Sequence, residues 1–283
     1  MSGRIENHRL EFRYSALRRK VSIDEVEQRT IGEYLSLARV VSFATTDIEL
    51  VRGGSDSRRR YLDFLGSQID PVYRPSLRSY ERALRSRNAL LKAAQPRPRE
   101  IAAYDQPLIE HGAKLSAMRA RLVERLTPLA AEAHGKVSGV AEDLALRFEP
   151  GNDADFARDL RDSHARELRL RQTIVGPHRD DIELRVQGKK APQYASEGQQ
   201  RTVALALKIA QAELFTQEGG APPLLLIDDI FGELDPIRRN ALLAHLPTDA
   251  QKLVTATTMQ WSKREIEGRV FELRDRELFL IKS

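Results

Sequence analysis

The stretch that most constrains the fold is residues 222–239, "PPLLLIDDIFGELDPIRR". Leu224, Leu225, Leu226 and Ile227 form a continuous aliphatic run that ends in two carboxylates, Asp228 and Asp229. A run this short and this apolar, bounded by prolines and acids, reads as a buried strand. A helical stretch precedes it over about 197–216, with Val203, Leu207, Ala210 and Leu214 at helical spacing. Another helix opens after it at Asp235-Pro236, and "KLVTATT" supplies a further strand. Strands that alternate with helices in this way build an α/β layer. In such layers ligands collect at the carboxyl ends of the strands, which is where the two acids fall.

An aliphatic strand ending in paired acids is the Walker B arrangement. There the first acid reaches Mg²⁺ through its water shell and the second orients or deprotonates an attacking water. Alone the pattern is common, since many strands end in an Asp that caps a turn. Its neighbours narrow the choice. In "GELDP", Asp235 is placed to cap a helix whose first residue is Pro236, and Glu233 adds a further acid. Upstream, "YASEGQQRTVALALKIAQAELF" holds Ser196 and, three residues on, Gln199, the spacing of a capping box. A capped helix start with Gly198 beside it offers backbone N–H groups to an anion.

The rest of the chain falls into three regions. Residues 9–26 alternate as strands, with Leu10, Phe12 and Tyr14 on one side and Val21 and Ile23 recurring after a basic turn. A strand is also expected over Val40 to Ala44. From about residue 57 the spacing becomes helical, with Leu77, Tyr80, Leu84 and Leu91 on one stripe. "QPRPRE" interrupts it. A second helical stretch follows with Leu115, Met118, Leu122 and Leu126, and 152–172 forms a third. Strands return after 173, where Ile182, Leu184 and Val186 alternate before a turn at Gly188, and the chain closes with a hairpin, "RVFELRDRELFLI".

Charge is unevenly distributed. Residues 58–125 hold fifteen Lys/Arg against seven Asp/Glu, a surplus of eight in a chain whose net charge is +5. Most of these cations are arginines, and a local surplus of this kind suits either a polyanionic partner or a solvated helical face. The absence of cysteine excludes disulfides and thiolate-metal sites. No apolar run approaches the roughly 18 residues of a membrane span. No apolar stretch near Met1 suits a secretory signal, so a cytoplasmic protein is expected.

The combination of motifs resembles the RecF family of recombinational DNA-repair ATPases. It consists of Gly176-Pro177-His178-Arg179-Asp180-Asp181, then Ser196-Glu197-Gly198-Gln199-Gln200-Arg201-Thr202, then Asp228-Asp229, then Glu233-Leu234-Asp235. The segments "LVRGGSDSRRRYLD" and "YERALRSRNALLK" are also similar to that family, and the resemblance spans nearly the whole chain. It implies an ABC-type ATPase head of α/β fold, with residues 1–57 and 173–283 in the head (lobe I) and 58–172 as an inserted helical lobe II. It implies ATP and Mg²⁺ as cofactors, with Asp228 and Asp229 catalytic and Asp228 holding Mg²⁺ through water. Ser196, Gly198, Gln199, Gln200, Asp235 and Thr257 would contact nucleotide, Thr257 (or Thr258) standing at the switch position. Arg58, Arg59, Arg60, Arg82, Arg85 and Arg87 are candidates for DNA backbone contacts. Gly176, His178, Arg179, Asp180 and Asp181 are a family motif without an assigned role. By the same resemblance the partners are single-stranded and gapped duplex DNA, RecO and RecR, indirectly RecA, and a second subunit joined in an ATP-dependent dimer.

One part of such a site is not in this sequence. A phosphate-binding loop needs a glycine-rich turn followed by Lys and Ser/Thr. The chain has two Gly-Lys steps, Gly135-Lys136 and Gly188-Lys189, followed by Val137 and Lys190. Family members carry the loop near their start, so the expectation is a chain lacking the family's N-terminal portion, with little or no hydrolysis of its own and an exposed apolar sheet edge. The alternatives are a nucleotide-independent DNA- or partner-binding module, which the missing loop favours, and an SMC- or Rad50-like head, which needs longer coiled-coil arms.

Overall fold

The computed structural model describes residues 2–5, 8–15, 19–29, 31–258 and 268–282, the side chains of 2–5 and of Arg19 apart. The aliphatic run forms the middle strand, Leu224–Asp228, of a three-stranded parallel sheet. Val40–Ala44 lies on one side, pairing Val41 with Leu225 and Phe43 with Ile227, and Lys252–Thr255 lies on the other. Val41, Phe43, Leu225 and Ile227 are all buried, as strands covered by helices require.

The cover is the helix Glu197–Gly219. Every residue from Thr202 to Ala212 on it is buried, so it has no solvent face over those turns. Beyond the expected stripe of Val203, Leu207, Ala210 and Leu214 it therefore buries a second one. That second stripe packs against Asp105–Ser138, a 34-residue helix whose Leu115, Met118, Leu122 and Leu126 face inward. The helix Glu197–Gly219 ends at Gly220, whose φ of 70° gives a left-handed C-cap that glycine adopts without strain.

The first helical stretch is two helices, Ser55–Ile69 and Tyr73–Leu91, separated at Asp70-Pro71, where proline cannot continue the ladder. A short helix, Pro98–Ala102, starts within "QPRPRE", and Phe156–Leu170 is the third expected helix. The stretch 58–172 is not helical throughout. It contains a strand, Leu144–Glu149, that pairs antiparallel with Asp181–Val186, which in turn pairs with Lys189–Lys190. Leu144, Leu146, Ile182, Leu184 and Val186 line one core with the parallel sheet and the long helix, so the inserted helices and the head share a continuous interior.

Near the start of the chain four antiparallel strands follow one another. Leu10 pairs with Ile23 and Phe12 with Val21. Tyr14 is largely exposed, unlike Leu10 on the same side. The basic turn expected after it lies partly outside the described residues, at 16–18. The closing hairpin, Val270–Arg274 with Glu277–Lys282, forms as expected, but Leu273, Leu278 and Ile281 on it are more than half exposed. On the outer strand of the parallel sheet, Leu253 and Val254 are 54% and 42% exposed.

Candidate functional site

The two acids diverge at the strand end. Asp228 closes the strand, and its Oδ1 accepts a 2.6 Å bond from the Thr255 hydroxyl on the neighbouring strand. Asp229 leaves the sheet with φ of 48°, a left-handed conformation that Asp tolerates better than most residues. Its amide still donates to the Thr255 carbonyl at 3.1 Å, while its Oδ1 accepts from the Thr257 amide at 3.2 Å and the Thr257 hydroxyl at 3.4 Å. Thr257, expected at the switch position from sequence, thus touches Asp229 directly. A cleft of about 230 Å³ opens beside them, walled by Phe231, Arg239 and Thr258.

The turn that follows carries Asp235 as an N-cap. Its Oδ1 accepts from the amides of Ile237 and Arg238, both at 3.0 Å, and Pro236 takes the first helical position of Pro236–His245. These bonds hold the Asp235 carboxyl below its ordinary range. Arg238 reaches back from this helix: its Nε donates to the Thr202 hydroxyl at 2.7 Å and its Nη1 pairs with Asp235. Arg201 pairs with Glu197 at 2.9 Å and Glu233 at 3.2 Å. The Asp235 turn and the first turns of Glu197–Gly219 are therefore tied together by two arginines. Glu233, the further acid of "GELDP", is one end of that tie.

The capping box is present in full: Ser196 Oγ accepts from the Gln199 amide at 3.3 Å, and Gln199 Oε1 accepts from the Ser196 amide at 2.9 Å. Gln199 Nε2 also donates to Glu142 at 2.7 Å, and Gln200 folds onto the Ala195 carbonyl. At Gly198 a side-chain Cβ would meet Arg238 Nη2 at 3.2 Å, so the glycine leaves room for the guanidinium lying over the helix start. Ser196 and Glu197 are both exposed.

The "GPHRDD" turn lies elsewhere and faces inward. Gly176 has φ of 117°, and a Cβ there would meet Phe156 at 2.7 Å and the Tyr80 hydroxyl at 2.8 Å. The Pro177 carbonyl accepts from Arg119 at 2.6 Å. His178 sits between the Thr173 carbonyl, 3.0 Å from Nε2, and the Tyr80 hydroxyl, 2.7 Å from Nδ1. A carbonyl only accepts, so Nε2 carries the proton and Nδ1 accepts from tyrosine. Burial lowers the His178 pKa to about 4, which keeps the ring neutral.

Asp180 is fully buried and accepts from Arg119 at 3.0 Å, Ser116 at 3.0 Å and the Gly151 amide at 2.8 Å. Burial raises its pKa, and Arg119 opposes the rise. Asp181 takes a bidentate pair from Arg58 at 2.7 and 3.0 Å. Only Arg179 of this motif is exposed. Among the described residues no hydrogen bond or ion pair joins the motif to Asp228, Asp229 or the Ser196 turn. Its place is a joint between the inserted helices and the strand Asp181–Val186.

The basic candidates separate in the same way. Arg58 is buried on Asp181 and on the carbonyls of Leu50 and Gly53. Arg87 is fully buried, 2.8 Å from Asp105, 2.9 Å from the Thr173 hydroxyl and 2.7 Å from Glu167, itself fully buried. Burial takes both out of reach of DNA, and this corrects the sequence expectation. Arg59 is committed to the Asp180 carbonyl at 2.7 Å and to Asp56. Arg60 and Arg82 are exposed with no described carboxylate within 4 Å, and Arg85 faces Glu81 at 3.6 Å. The central cation of the joint, Arg119, was invisible to sequence reasoning, since its partners lie on three separate segments.

No family model matches the chain. The DNA replication and repair protein RecF of Synechococcus sp. (strain JA-2-3B'a(2-13)) is 40% identical over 259 residues, which cover 86% of this chain and 68% of that protein. The chain belongs to the RecF family. The RecF of Symbiobacterium thermophilum is 39% identical over 255 residues, with the same coverage. Among solved structures, the recombination mediator protein RecF-ATPrS of the RecFOR pathway superposes with a TM-score of 0.87 at 27% identity, covering 100% of this chain and 78% of that one. RecF-ATP of the same pathway gives 0.83 at 27% identity, covering 97% and 76%. The fold is thus that of a RecF ATPase head. Among the described residues of this RecF-family chain, no helix is long and apolar enough to cross a membrane.

Proposed function

We propose that the chain acts as the body of a RecF-type recombinational repair ATPase, contributing to a nucleotide site shared between two subunits. The observation that carries this reading is the tie between the Ser196 helix start and the Asp235 turn through Arg201–Glu233 and Arg238–Thr202. The tie joins the helix start to the turn that follows the acid-bearing strand. In this reading Ser196, Gly198, Gln199 and Gln200 meet a nucleotide held by the other subunit. Asp235 shapes the subunit contact, and Thr257 steadies Asp229. ATP binding then drives dimerisation, and the dimer serves gap repair on DNA with RecO and RecR, ahead of RecA loading. The setting is the cytoplasm.

The residues present suit Mg²⁺ delivered with a phosphate chain rather than caged by protein. Among the described residues no group of three or more acidic or histidine side chains converges. Two carboxylates are what a hydrated Mg²⁺ bound mainly by phosphates requires. Asp228 would hold it through water, and Asp229, pinned to Thr257, would orient the attacking water. When bound, the ion supplies charge stabilisation to the phosphoryl group. The 283 residues hold no glycine-rich Lys-Ser/Thr loop. Hydrolysis by this chain alone is therefore expected to be slight.

The test is equilibrium binding of Mg-ATP and of ATPγS to the 283-residue chain and to its mixture with a complete RecF, with oligomeric state followed in the same samples. Nucleotide-dependent pairing with complete RecF, abolished by Ser196→Ala/Gly198→Glu, supports the reading. Pairing indifferent to nucleotide and to those substitutions would sink it in favour of a nucleotide-independent module.

A further inference from the structure

The outer face of the helix Tyr73–Leu91 carries a row of arginines with a single acid beside it. Tyr73, Ser76, Tyr80, Ala83, Arg87 and Leu91 form its buried side. Arg74, Arg78, Arg82 and Arg85 follow at intervals of four, four and three residues, which brings them onto the opposite side in one row. The row is about 16 Å long at 1.5 Å per residue. No described carboxylate lies within 4 Å of Arg74, Arg78 or Arg82, and the nearest to Arg85 is Glu81 at 3.6 Å. The helix carries five arginines and one acid. The helix Phe156–Leu170, also rich in arginine, has Asp159, Asp162 and Glu167 among its four, and pairs Arg158 with Asp162.

The row is also left in electrostatic tension. Arg74 is half-buried, and its Nε has no hydrogen-bond partner. Desolvation, and then the charge of Arg78, lowers its pKa. Uncompensated like charges on a rigid helix cost free energy that an anion relieves. Guanidinium groups bind phosphates in bidentate fashion, so a row of them matches a repeating phosphate better than isolated carboxylates. A duplex presents about ten phosphates over 16 Å of its axis, enough to meet all four. The exposed positions between the arginines, Pro75 and Glu81, offer no large apolar side chain to enter a bilayer.

We infer that the arginine row Arg74–Arg78–Arg82–Arg85 is the surface by which the chain grips the sugar–phosphate backbone of DNA. The inference rests on the repair reading above and names the surface by which it would act. It moves that contact away from Arg58, Arg59 and Arg87, which hold the protein together, and adds Arg74 and Arg78, which the sequence alone did not single out. Contacts of this kind position the nucleic acid without reading its bases, so binding is sequence-independent and steeply salt-dependent.

The test is fluorescence anisotropy of labelled duplex and gapped DNA with the intact chain across a salt series. The native chain is compared with R74Q/R78Q/R82Q/R85Q and with R158Q/R161Q/R166Q/R169Q, which removes the same charge from Phe156–Leu170. The first variant is expected to bind more than about tenfold more weakly and to flatten the salt slope by roughly 0.9 for each phosphate it no longer neutralises. The second is expected to stay within about threefold of native. R78E/R82E repeats the measurement with two exposed changes, should four disturb folding. Equal weakening in both quadruple variants, or greater weakening in the second, would overturn the surface while leaving DNA binding in place. Tighter binding to anionic phosphatidylserine vesicles than to DNA would overturn it in favour of a membrane. No DNA binding by the native chain at low salt would overturn it too, and nucleotide-dependent pairing would remain a separate result.

Discussion

Arg119 lies 3.0 Å from Asp180, and the two residues are 2% and 0% exposed. Around this pair the "GPHRDD" turn closes on helices that come from well before it in the chain. The same guanidinium also reaches Asp63, Tyr73 and the Pro177 carbonyl, so each of its three nitrogens has a partner. A buried pair satisfied this thoroughly fixes geometry more than it adds net stability, whereas removing one partner leaves a charge stranded.

Asp180→Ala is therefore expected to destabilise the chain by about 3 kcal/mol, since Arg119, Ser116 and the Gly151 amide all lose an acceptor. Asp180→Asn, which keeps an acceptor oxygen, should cost less than half of that. Urea unfolding of both variants checks the order; equal midpoints would show that the joint needs the charge, which both variants lose, and that a retained acceptor does not replace it.

His178 makes stability depend on pH. Its folded pKa, near 4, lies below the unfolded value of about 6.5. The neutral ring thus contributes stability above pH 6.5 that is lost as pH falls towards 4, because the unfolded chain binds the proton first. The decrease should total about 3 kcal/mol. Asp180, whose pKa is raised by burial, works in the opposite direction once the pH approaches it. Unfolding midpoints between pH 7 and pH 4 should fall for the native chain and flatten for His178→Gln. A parallel decline in both would assign the effect to other groups.

Gly176 has no room for a side chain. At φ of 117°, with Phe156 and Tyr80 inside 3 Å of a Cβ, Gly176→Ala combines backbone strain with overpacking, and a destabilisation of at least about 2 kcal/mol is expected. Gly188→Ala is the comparison: it has φ of 72° and open space around it, and it should cost less. Thermal melts of the two decide whether the crowding or the dihedral dominates.

At the helix start, Ser196→Ala removes one cap bond and should cost about 1 kcal/mol. Arg238→Met should leave global stability within about 1 kcal/mol. It should nevertheless raise amide exchange across Pro236–His245, because the link to Thr202 is gone. Unchanged exchange there would mean that the helix is held by its apolar packing alone.

What was legible in the sequence was what neighbours in the chain decide. Ser196 with Gln199 and Asp235 with Pro236 are local designs, and both caps form as written. The Leu224–Asp228 strand was legible because burial on both faces leaves only apolar residues. Arg58 and Arg87 were not legible. A buried arginine and an exposed one look alike until a partner arrives, and Asp181 lies 123 residues beyond Arg58. The inward turn of His178 and Asp180 was hidden for the same reason. The break at Asp70-Pro71 was readable from its proline, although the helical spacing from residue 57 onward suggested one continuous helix.

Among the described residues, the outermost strand of the parallel sheet, Lys252–Thr255, has a neighbour on one side only. Its free backbone groups, with Leu253 and Val254 showing beside them, form a ledge onto which another molecule's backbone can knit. The chain should therefore become less soluble as it is concentrated, by a route that has nothing to do with nucleotide. Any dimer seen in solution must be sorted by whether dilution or removal of ATP takes it apart.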